Sequence, residues 1–272
     1  MAMRCTRRGS LWLLAFVAAM MLCLTLAFAL ALYPKAEGIT VYEDQGVTVD
    51  ASHADQGYVM VRHTPSDKAL KLRLTKGEQT YTYDLPADGR YETYPLNMGS
   101  GTYQVQVFRQ ISGKRYANDA SLRLKAEIAD ETIPYLYPNQ FVWYTPDSAA
   151  VAMGETLCAG LTSDADKLDA VRRYVVDHIL YDYIQAETVQ SGYLPAVDEI
   201  LAGGKGICFD YAALTACMLR TQGVPTKLVI GYADRIYHAW NDVLVDGEWR
   251  RIDTTAEANN MKVKRYTQER IY

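Results

Sequence analysis

The sequence predicts an α+β protein in which an N-terminal hydrophobic helix precedes a small β-sandwich and then a domain where a helix-start cysteine packs on an antiparallel sheet. Three observations support this prediction: a long uncharged stretch near the start, a two-residue hydrophobic period in the first half, and a helical period beyond it. With 272 residues, 49% of them hydrophobic and 22% charged, the chain is long enough for two globular domains of ordinary composition.

Residues 1–33 have the pattern of a signal peptide or membrane anchor. Arg4, Arg7 and Arg8 form a basic cluster, and residues 11–32 follow without a single charge. That length allows a helix to cross a bilayer, and alternating alanines near its end also fit a cleavage site. Both interpretations are open, with the anchor favoured because the apolar run is long. Either one predicts that the rest of the chain is extracytoplasmic, secreted or membrane-anchored.

Charge and cysteine content narrow the class of protein. The formal net charge is −4, and the three N-terminal arginines account for three positive charges, so the exported part carries −7. Nucleic acid is therefore not a predicted partner, because its recognition needs a basic surface. The exported cysteines, Cys158, Cys208 and Cys217, are odd in number and too few for a disulfide framework.

Residues 38–130 alternate with a period near two. For example, Tyr103, Val105 and Val107 fall on one face of a predicted strand with glutamines between them. Short strands separated by turn signals predict a β-sandwich domain. A spacer that lifts the next domain off the membrane is its favoured role, and a module that binds cell-wall polymer or protein is the alternative. Residues 131–162 are predicted as a linker and lead-in.

The second predicted domain, residues 163–272, begins with an amphipathic helix. Another helix follows the glycine-rich turn at Gly203 and Gly204, and Cys208 lies in its first turn. Unpaired backbone N–H groups and the positive end of the helix dipole favour a thiolate there. Cys208 is therefore the candidate nucleophile.

A hairpin downstream supplies two partners for this cysteine. Asp246 and Gly247 are a strong two-residue turn, and counting back from it places Asp253 opposite Trp240. His238 shares a face with Trp240, so Asp253 is its diagonal neighbour on the adjacent strand. A carboxylate that orients an imidazole, which in turn serves a thiol, is the order of a catalytic triad.

Each of these residues alone is compatible with a structural role, and only their combination indicates catalysis. A metal site is not predicted, because Cys208, His238 and Asp253 offer three ligands without the paired spacing of zinc sites. A calcium-loop motif is also lacking in the sequence. The prediction therefore includes no metal and no cofactor.

The residues around this constellation resemble the transglutaminase-like superfamily. Over residues 165–256 the shared features come in order: glycine-cysteine at a helix start, a Gly-Val-Pro turn, His-Ala-Trp, an Asp-Gly hairpin and Trp-x-x-Ile-Asp-Thr-Thr. The resemblance implies a papain-like core. It also implies that Cys208 is the nucleophile, His238 the general base and acid, and Asp253 the group that orients the imidazole.

The resemblance further implies a thioester acyl-enzyme formed from a peptide or protein amide. Hydrolysis is the favoured prediction, and protein cross-linking by acyl transfer is the alternative. A non-catalytic cell-surface binding or assembly protein and a purely structural tethered protein are further hypotheses, which the intact triad disfavours. The predicted partners are a protein or peptide substrate, with cell-wall peptide as one candidate, and the membrane through the N-terminal segment. The second oxyanion donor is left open among upstream residues that include Tyr183, Gln190 and Tyr193.

Overall fold

The structure is a computed structural model that describes residues 31–272, which form one compact unit. The predicted signal peptide or anchor, residues 1–33, lies outside the described residues except for its last three. Within residues 31–272 no helix combines the length and the apolar character that a membrane crossing requires.

Residues 41–126, the β region, form two four-stranded antiparallel sheets. One has the order β1-β2-β3-β6 and the other β5-β4-β7-β8. The strands are β1 (Val41–Asp44), β2 (Val47–Asp50), β3 (Tyr58–His63), β4 (Leu70–Lys76), β5 (Gln79–Leu85), β6 (Glu92–Pro95), β7 (Gly101–Ser112) and β8 (Arg115–Ala126).

The period of two that predicted these strands also determines their buried faces. Leu70, Leu72 and Leu74 alternate along β4 and are all fully buried, and Tyr103 and Val105 do the same on the neighbouring β7. Each intervening residue of β4 is half-buried. One face of the strand pair is therefore in the core and the other meets solvent or a neighbouring segment.

The remainder of the chain combines six helices with a four-stranded sheet of order β13-β12-β11-β14. In chain order the elements are α1 (Ala149–Cys158), α2 (Asp164–His178), β9 (Leu180–Tyr181), α3 (Tyr183–Thr188), α4 (Val197–Gly203), β10 (Lys205–Gly206), α5 (Cys208–Arg220), β11 (Thr226–Ala233), β12 (Ile236–Val245), β13 (Glu248–Ile252), α6 (Thr254–Ala258) and β14 (Tyr266–Ile271). The predicted lead-in, residues 131–162, contains the full helix α1.

Helix α5 is the central element of this half of the molecule. Every residue from Asp210 to Arg220 is buried, and the helix packs against α1, α2, β11 and β12. A Cβ atom on Gly154 of α1 would lie 3.0 Å from the backbone oxygen of Met218, so glycine permits the close approach of α1 to α5. A helix enclosed in this way gives its first residue a fixed position.

The β region and the second half share one hydrophobic core. Tyr272, at the end of the chain, packs its ring against Tyr83 from β5 and against Phe141. Arg220 is fully buried and donates hydrogen bonds of 2.8 to 2.9 Å to the backbone oxygens of Tyr137, Thr226 and Tyr272. The two halves are therefore held together by aromatic packing, and Arg220 joins segments within the second half.

Candidate active site

The carboxylate of Asp210 fixes the two residues that directly precede Cys208. Ile207 is the N-cap of α5, and its backbone N–H donates to Asp210 Oδ2 at 2.8 Å. A Cβ atom on Gly206 would lie 2.6 Å from Asp210 Cβ, so this position requires the absence of a side chain. Cys208 is thereby held at the first position of the helix, where backbone N–H groups lack intrahelical partners.

Asp210 also fixes the segment that precedes the cysteine. It accepts a hydrogen bond from the Tyr193 hydroxyl at 2.7 Å and from Gln185 Nε2 at 3.2 Å. Burial raises the pKa of Asp210, although these hydrogen bonds lower it in part. The sequence predicts only a first-turn dipole complement at this residue, because its partners lie 17 and 25 positions away.

The hairpin register predicted from Asp246 and Gly247 is confirmed. Val245 pairs with Glu248, and the ladder continues back to Asn241, which pairs with Ile252. The register agrees with the count that places Asp253 opposite Trp240, but β13 ends at Ile252, so Asp253 lies one residue beyond the paired strand.

Asp253 is instead the N-cap of α6. Its Oδ1 atom accepts the Ala256 backbone N–H at 2.9 Å, as a helix-capping aspartate does. The carboxylate nevertheless reaches His238, as the sequence predicted: Nε2 donates to Asp253 Oδ2 at 2.8 Å. His238 is 4% exposed, so this ion pair is shielded from water.

Tyr266 of β14 is a further partner of this carboxylate. Its hydroxyl donates to Asp253 Oδ2 at 2.8 Å, and its ring packs edge-on against Trp240. Burial raises the pKa of Asp253, but its hydrogen bonds, first that of His238, lower it below the ordinary value. The sequence did not indicate Tyr266, because no local motif connects it to a residue 13 positions earlier.

Cys208 and His238 lie side by side in the cleft wall, close enough for the sulfur to raise the pKa of the imidazole. Since Asp253 engages Nε2, the Nδ1 atom is the ring nitrogen that remains for the sulfur. Burial lowers the pKa of His238, but the hydrogen bond with Asp253 and the neighbouring Cys208 sulfur outweigh this effect and raise the pKa to about 9. An imidazolium at neutral pH therefore lies between a carboxylate and the sulfur.

The strand that holds His238 is attached to the cysteine helix by Asn241. Its Nδ2 atom donates to the backbone oxygen of Ala212 in α5 at 3.0 Å and to that of Lys227 in β11 at 3.1 Å. Asn241 is fully buried and three residues from His238. This side chain therefore fixes the distance between helix and strand on which the pairing of Cys208 with His238 depends.

Two cavities, which we name the interregion cavity and the outer cavity, meet at this pair. The interregion cavity has a volume of about 590 Å³ and the outer cavity about 450 Å³. Cys208, His238, Tyr181 and Tyr237 line both. The sulfur thus lies where the two cavities meet. Together the two cavities form one cleft, and we call their junction the waist of the cleft.

The three residues considered as second oxyanion donors lie in different parts of the cleft. Tyr183 is 68% exposed and lines the outer cavity, Gln190 lines the interregion cavity, and the Tyr193 hydroxyl is engaged by Asp210. Tyr181, which no sequence pattern indicated, also lines the cleft, and its pKa is raised by burial and next by the charge of Cys208.

The other two described cysteines are unlike Cys208. Cys158 and Cys217 are buried, all three are free thiols, and burial raises the pKa of Cys158 and, more strongly, that of Cys217. Of the described cysteines, the one that lines the cleft is Cys208.

Comparison with known families bears on the same part of the chain. Residues 151–254 match the model of the transglutaminase-like superfamily core. This part of the chain is a transglutaminase-like domain. The match contains Cys208, His238 and Asp253, and it begins inside α1, upstream of the resemblance seen in the sequence.

Relatives of the transglutaminase-like domain include two kyphoscoliosis peptidases. The mouse protein is 31% identical and the human protein 30% identical, each over 106 residues that cover 34% of this chain. The chain spans only 16% of the length of these relatives. A crystal structure of a TGase is 24% identical, covering 43% of this chain and 32% of its own, with a TM-score of 0.35.

Proposed function

We propose that this chain is an extracytoplasmic cysteine enzyme that acts on peptide or protein amide bonds through a thioester. The observation that carries the proposal is the hydrogen bond between His238 and Asp253 beside Cys208, with Cys208 and His238 lining the same cleft. A non-catalytic binding protein would not need a thiol, an imidazole and a buried carboxylate in this order. Residues 1–33 support the extracytoplasmic part of the proposal, as anchor or signal.

In the first half of the reaction, the Cys208 thiolate attacks the substrate carbonyl carbon. The oxygen that becomes negative is next to the N-terminus of α5, where the Cys208 backbone N–H is available as a donor. His238 gives its proton to the leaving nitrogen, the C–N bond breaks, and a thioester remains. Asp253 holds the imidazole in position for this transfer.

In the second half, His238 accepts a proton from the incoming nucleophile. Attack by water breaks the C–S bond and releases a carboxylic acid, whereas attack by a primary amine gives a new amide. The thiolate and imidazolium are restored in both cases.

Hydrolysis is the favoured outcome. Tyr237, at the waist, is 59% exposed, and Tyr183, in the outer cavity, is 68% exposed, so water has access to the thioester. The two relatives named as peptidases support the same outcome. Protein cross-linking is the second candidate, favoured by the outer cavity, which gives an acceptor amine a place beside Cys208.

We further propose that the β region, whose two sheets we interpret as a β-sandwich, is a spacer between the membrane and the catalytic half. With an anchored N-terminus, substrates close to the membrane are within reach, and peptides of the cell wall are the candidates. Secretion after cleavage would instead give a diffusible enzyme.

The test uses residues 34–272 as an exported protein, with Cys208→Ala as its control. A mixture of peptides and glutamine-containing proteins is incubated with each, with and without a labelled primary amine. We expect new peptide termini that depend on Cys208. Label incorporation without new termini would favour cross-linking, and no product from a folded protein would contradict the proposed activity.

A further inference from the structure

The interregion cavity has walls from both halves of the molecule. Phe209 and Leu194 come from the transglutaminase-like domain, and Lys71, Thr82 and Asp84 come from the β region. The favoured interpretation of the β region as a spacer does not account for these wall residues. The strands β4 and β5 therefore form part of the cleft that contains Cys208.

This wall is fixed in place. Asn97 Nδ2 donates to the backbone oxygen of Ile271, and the Tyr81 hydroxyl accepts the Ile271 backbone N–H at 3.4 Å, so strand β14 is bonded to the β region. Gln140 holds Asp84 at both backbone groups, accepting from its N–H and donating to its oxygen at 3.0 Å each. The backbone from which the Asp84 side chain extends is therefore fixed in position.

Lys71 and Asp84 face each other directly across the β4–β5 pair and form an ion pair. Their side chains are 34% and 49% exposed, and apart from Cys208 and the tyrosines the titratable groups of the described cavity wall are these two and His238. An exposed ion pair contributes little to stability, about 0–1 kcal/mol. An ammonium has three donors and a carboxylate about four acceptor positions, so each group retains capacity for a ligand.

The same cavity is also lined by the apolar side chains of Phe141, Phe209, Leu194 and Val189. A ligand that fills this cavity therefore meets apolar side chains and charges of both signs.

We propose that Lys71 and Asp84 form a recognition site for a substrate residue that carries an ammonium and a carboxylate together, such as a C-terminal lysine. The carboxylate pairs with Lys71 and the ammonium with Asp84, and the preceding residues of the peptide extend along the apolar lining toward Cys208. This inference rests on the proposed function, since the recognised residue belongs to the peptide that Cys208 attacks.

The test measures alkylation of Cys208 by three iodoacetyl tripeptides that end in lysine with a free carboxylate, lysine amide, or norleucine amide. Each second-order rate is divided by that of iodoacetamide, which reports the sulfur alone. We expect the doubly charged probe to exceed the neutral one about tenfold, as charge-assisted hydrogen bonds permit. Lys71→Met and Asp84→Asn should each reduce this preference about fivefold.

The matched control is the ion pair of Lys125 and Glu127, which is exposed and belongs to no wall of the cleft. Lys125→Met and Glu127→Gln should leave the preference unchanged. Equal ratios for all three probes, or a singly charged probe that does as well as the doubly charged one, would overturn the proposal.

Binding of Ala-Ala-Lys to the Cys208→Ala variant, measured by calorimetry, separates this proposal from the proposed function. We expect binding that weakens at least fivefold in the additional presence of Asp84→Asn. Absence of binding there overturns the recognition site, whereas an unreactive Cys208 in the parent protein overturns the proposed chemistry.

Discussion

Asp253 accepts hydrogen bonds from His238, from Tyr266 and from the backbone of Ala256, the last as the cap of α6. Three donors from three elements leave a buried carboxylate little freedom to rotate. The imidazole of His238 is held in place as well, because its Nε2 atom is hydrogen-bonded to the same carboxylate oxygen as the Tyr266 hydroxyl.

Tyr266→Phe removes one of these donors without changing the ring. Since the hydroxyl stabilises the ionised carboxylate, its loss should raise the pKa of Asp253 and weaken its hold on His238. We expect kcat/KM to fall about tenfold, equivalent to about 1.4 kcal/mol, and the acid limb of the pH profile to move to higher pH. A fall in activity with an unmoved profile would show that the hydroxyl only supports packing.

Stability should depend on pH through His238. Its pKa is raised from 6.5 to about 9 in the folded protein, so the native state retains a proton that the unfolded chain has released between these values. The contribution is complete below about pH 6.5 and is lost as pH rises to about 9, by at most about 3 kcal/mol.

Urea unfolding at pH 6, 7.5 and 9 measures this dependence. In Asp253→Asn the charge that holds the proton is gone, so the decline between pH 6 and 9 should flatten. An equal slope in the parent protein and the variant would contradict the assigned protonation of His238.

At the scale of elements, the site depends on the close packing of β11 between β12 and β14. Gly231 pairs with His238 across β11 and β12, and a Cβ atom built on it would lie 2.0 Å from the backbone oxygen of Thr267. Because this oxygen is backbone, no side-chain rotation relieves the overlap. The glycine is what allows β14 to carry Tyr266 to the site.

Gly231→Ala should therefore push β14 away from the sheet. We expect a loss of about 1–3 kcal/mol in the free energy of unfolding and a larger fall in kcat than in Tyr266→Phe alone. Gly203→Ala is the matched control, since nothing lies within 4 Å of its Cβ position. Equal stability of the two variants would contradict the packing described for β14.

Features that depend on neighbouring residues were predictable from the sequence, and features that depend on contacts between distant segments were not. The hairpin at Asp246 and Gly247 was predictable because a two-residue turn fixes the register of both strands. Strand β14 was not, because most of its residues are exposed and lack an alternating apolar face. Helix α1 follows a segment with several prolines. Because prolines are typical of linkers, the sequence predicted a linker and lead-in there. The roles of Tyr266 and Lys71 depend on contacts between distant segments, which no local pattern contains.

At the scale of the whole molecule, the buried side chain of Arg220 joins separate segments of the second half of the chain. Arg220 lacks a carboxylate partner among the residues described, and its three hydrogen bonds go to backbone oxygens in separate segments. Burial lowers its pKa to about 10, a direct sign of the cost of enclosing this charge.

Arg220→Met keeps much of the buried stem and removes all the donors. Relief of the buried charge offsets part of the effect, but three enclosed oxygens at about 1–3 kcal/mol each dominate. We expect the free energy of unfolding to fall by about 2–4 kcal/mol in urea titrations. Arg115→Met, at an exposed position of β8, should change it by less than about 0.5 kcal/mol.

The central claim is that His238 and Asp253 activate Cys208, and the rate of Cys208 alkylation by iodoacetamide as a function of pH tests it most directly. Cys158 and Cys217 are buried and poor comparators, so the reference is Cys208 itself in His238→Gln. We predict a rate in the parent protein that persists down to about pH 6, while the variant loses reactivity in step with an ordinary thiol, at least tenfold by pH 7. Superimposable pH profiles for the two proteins would contradict the account.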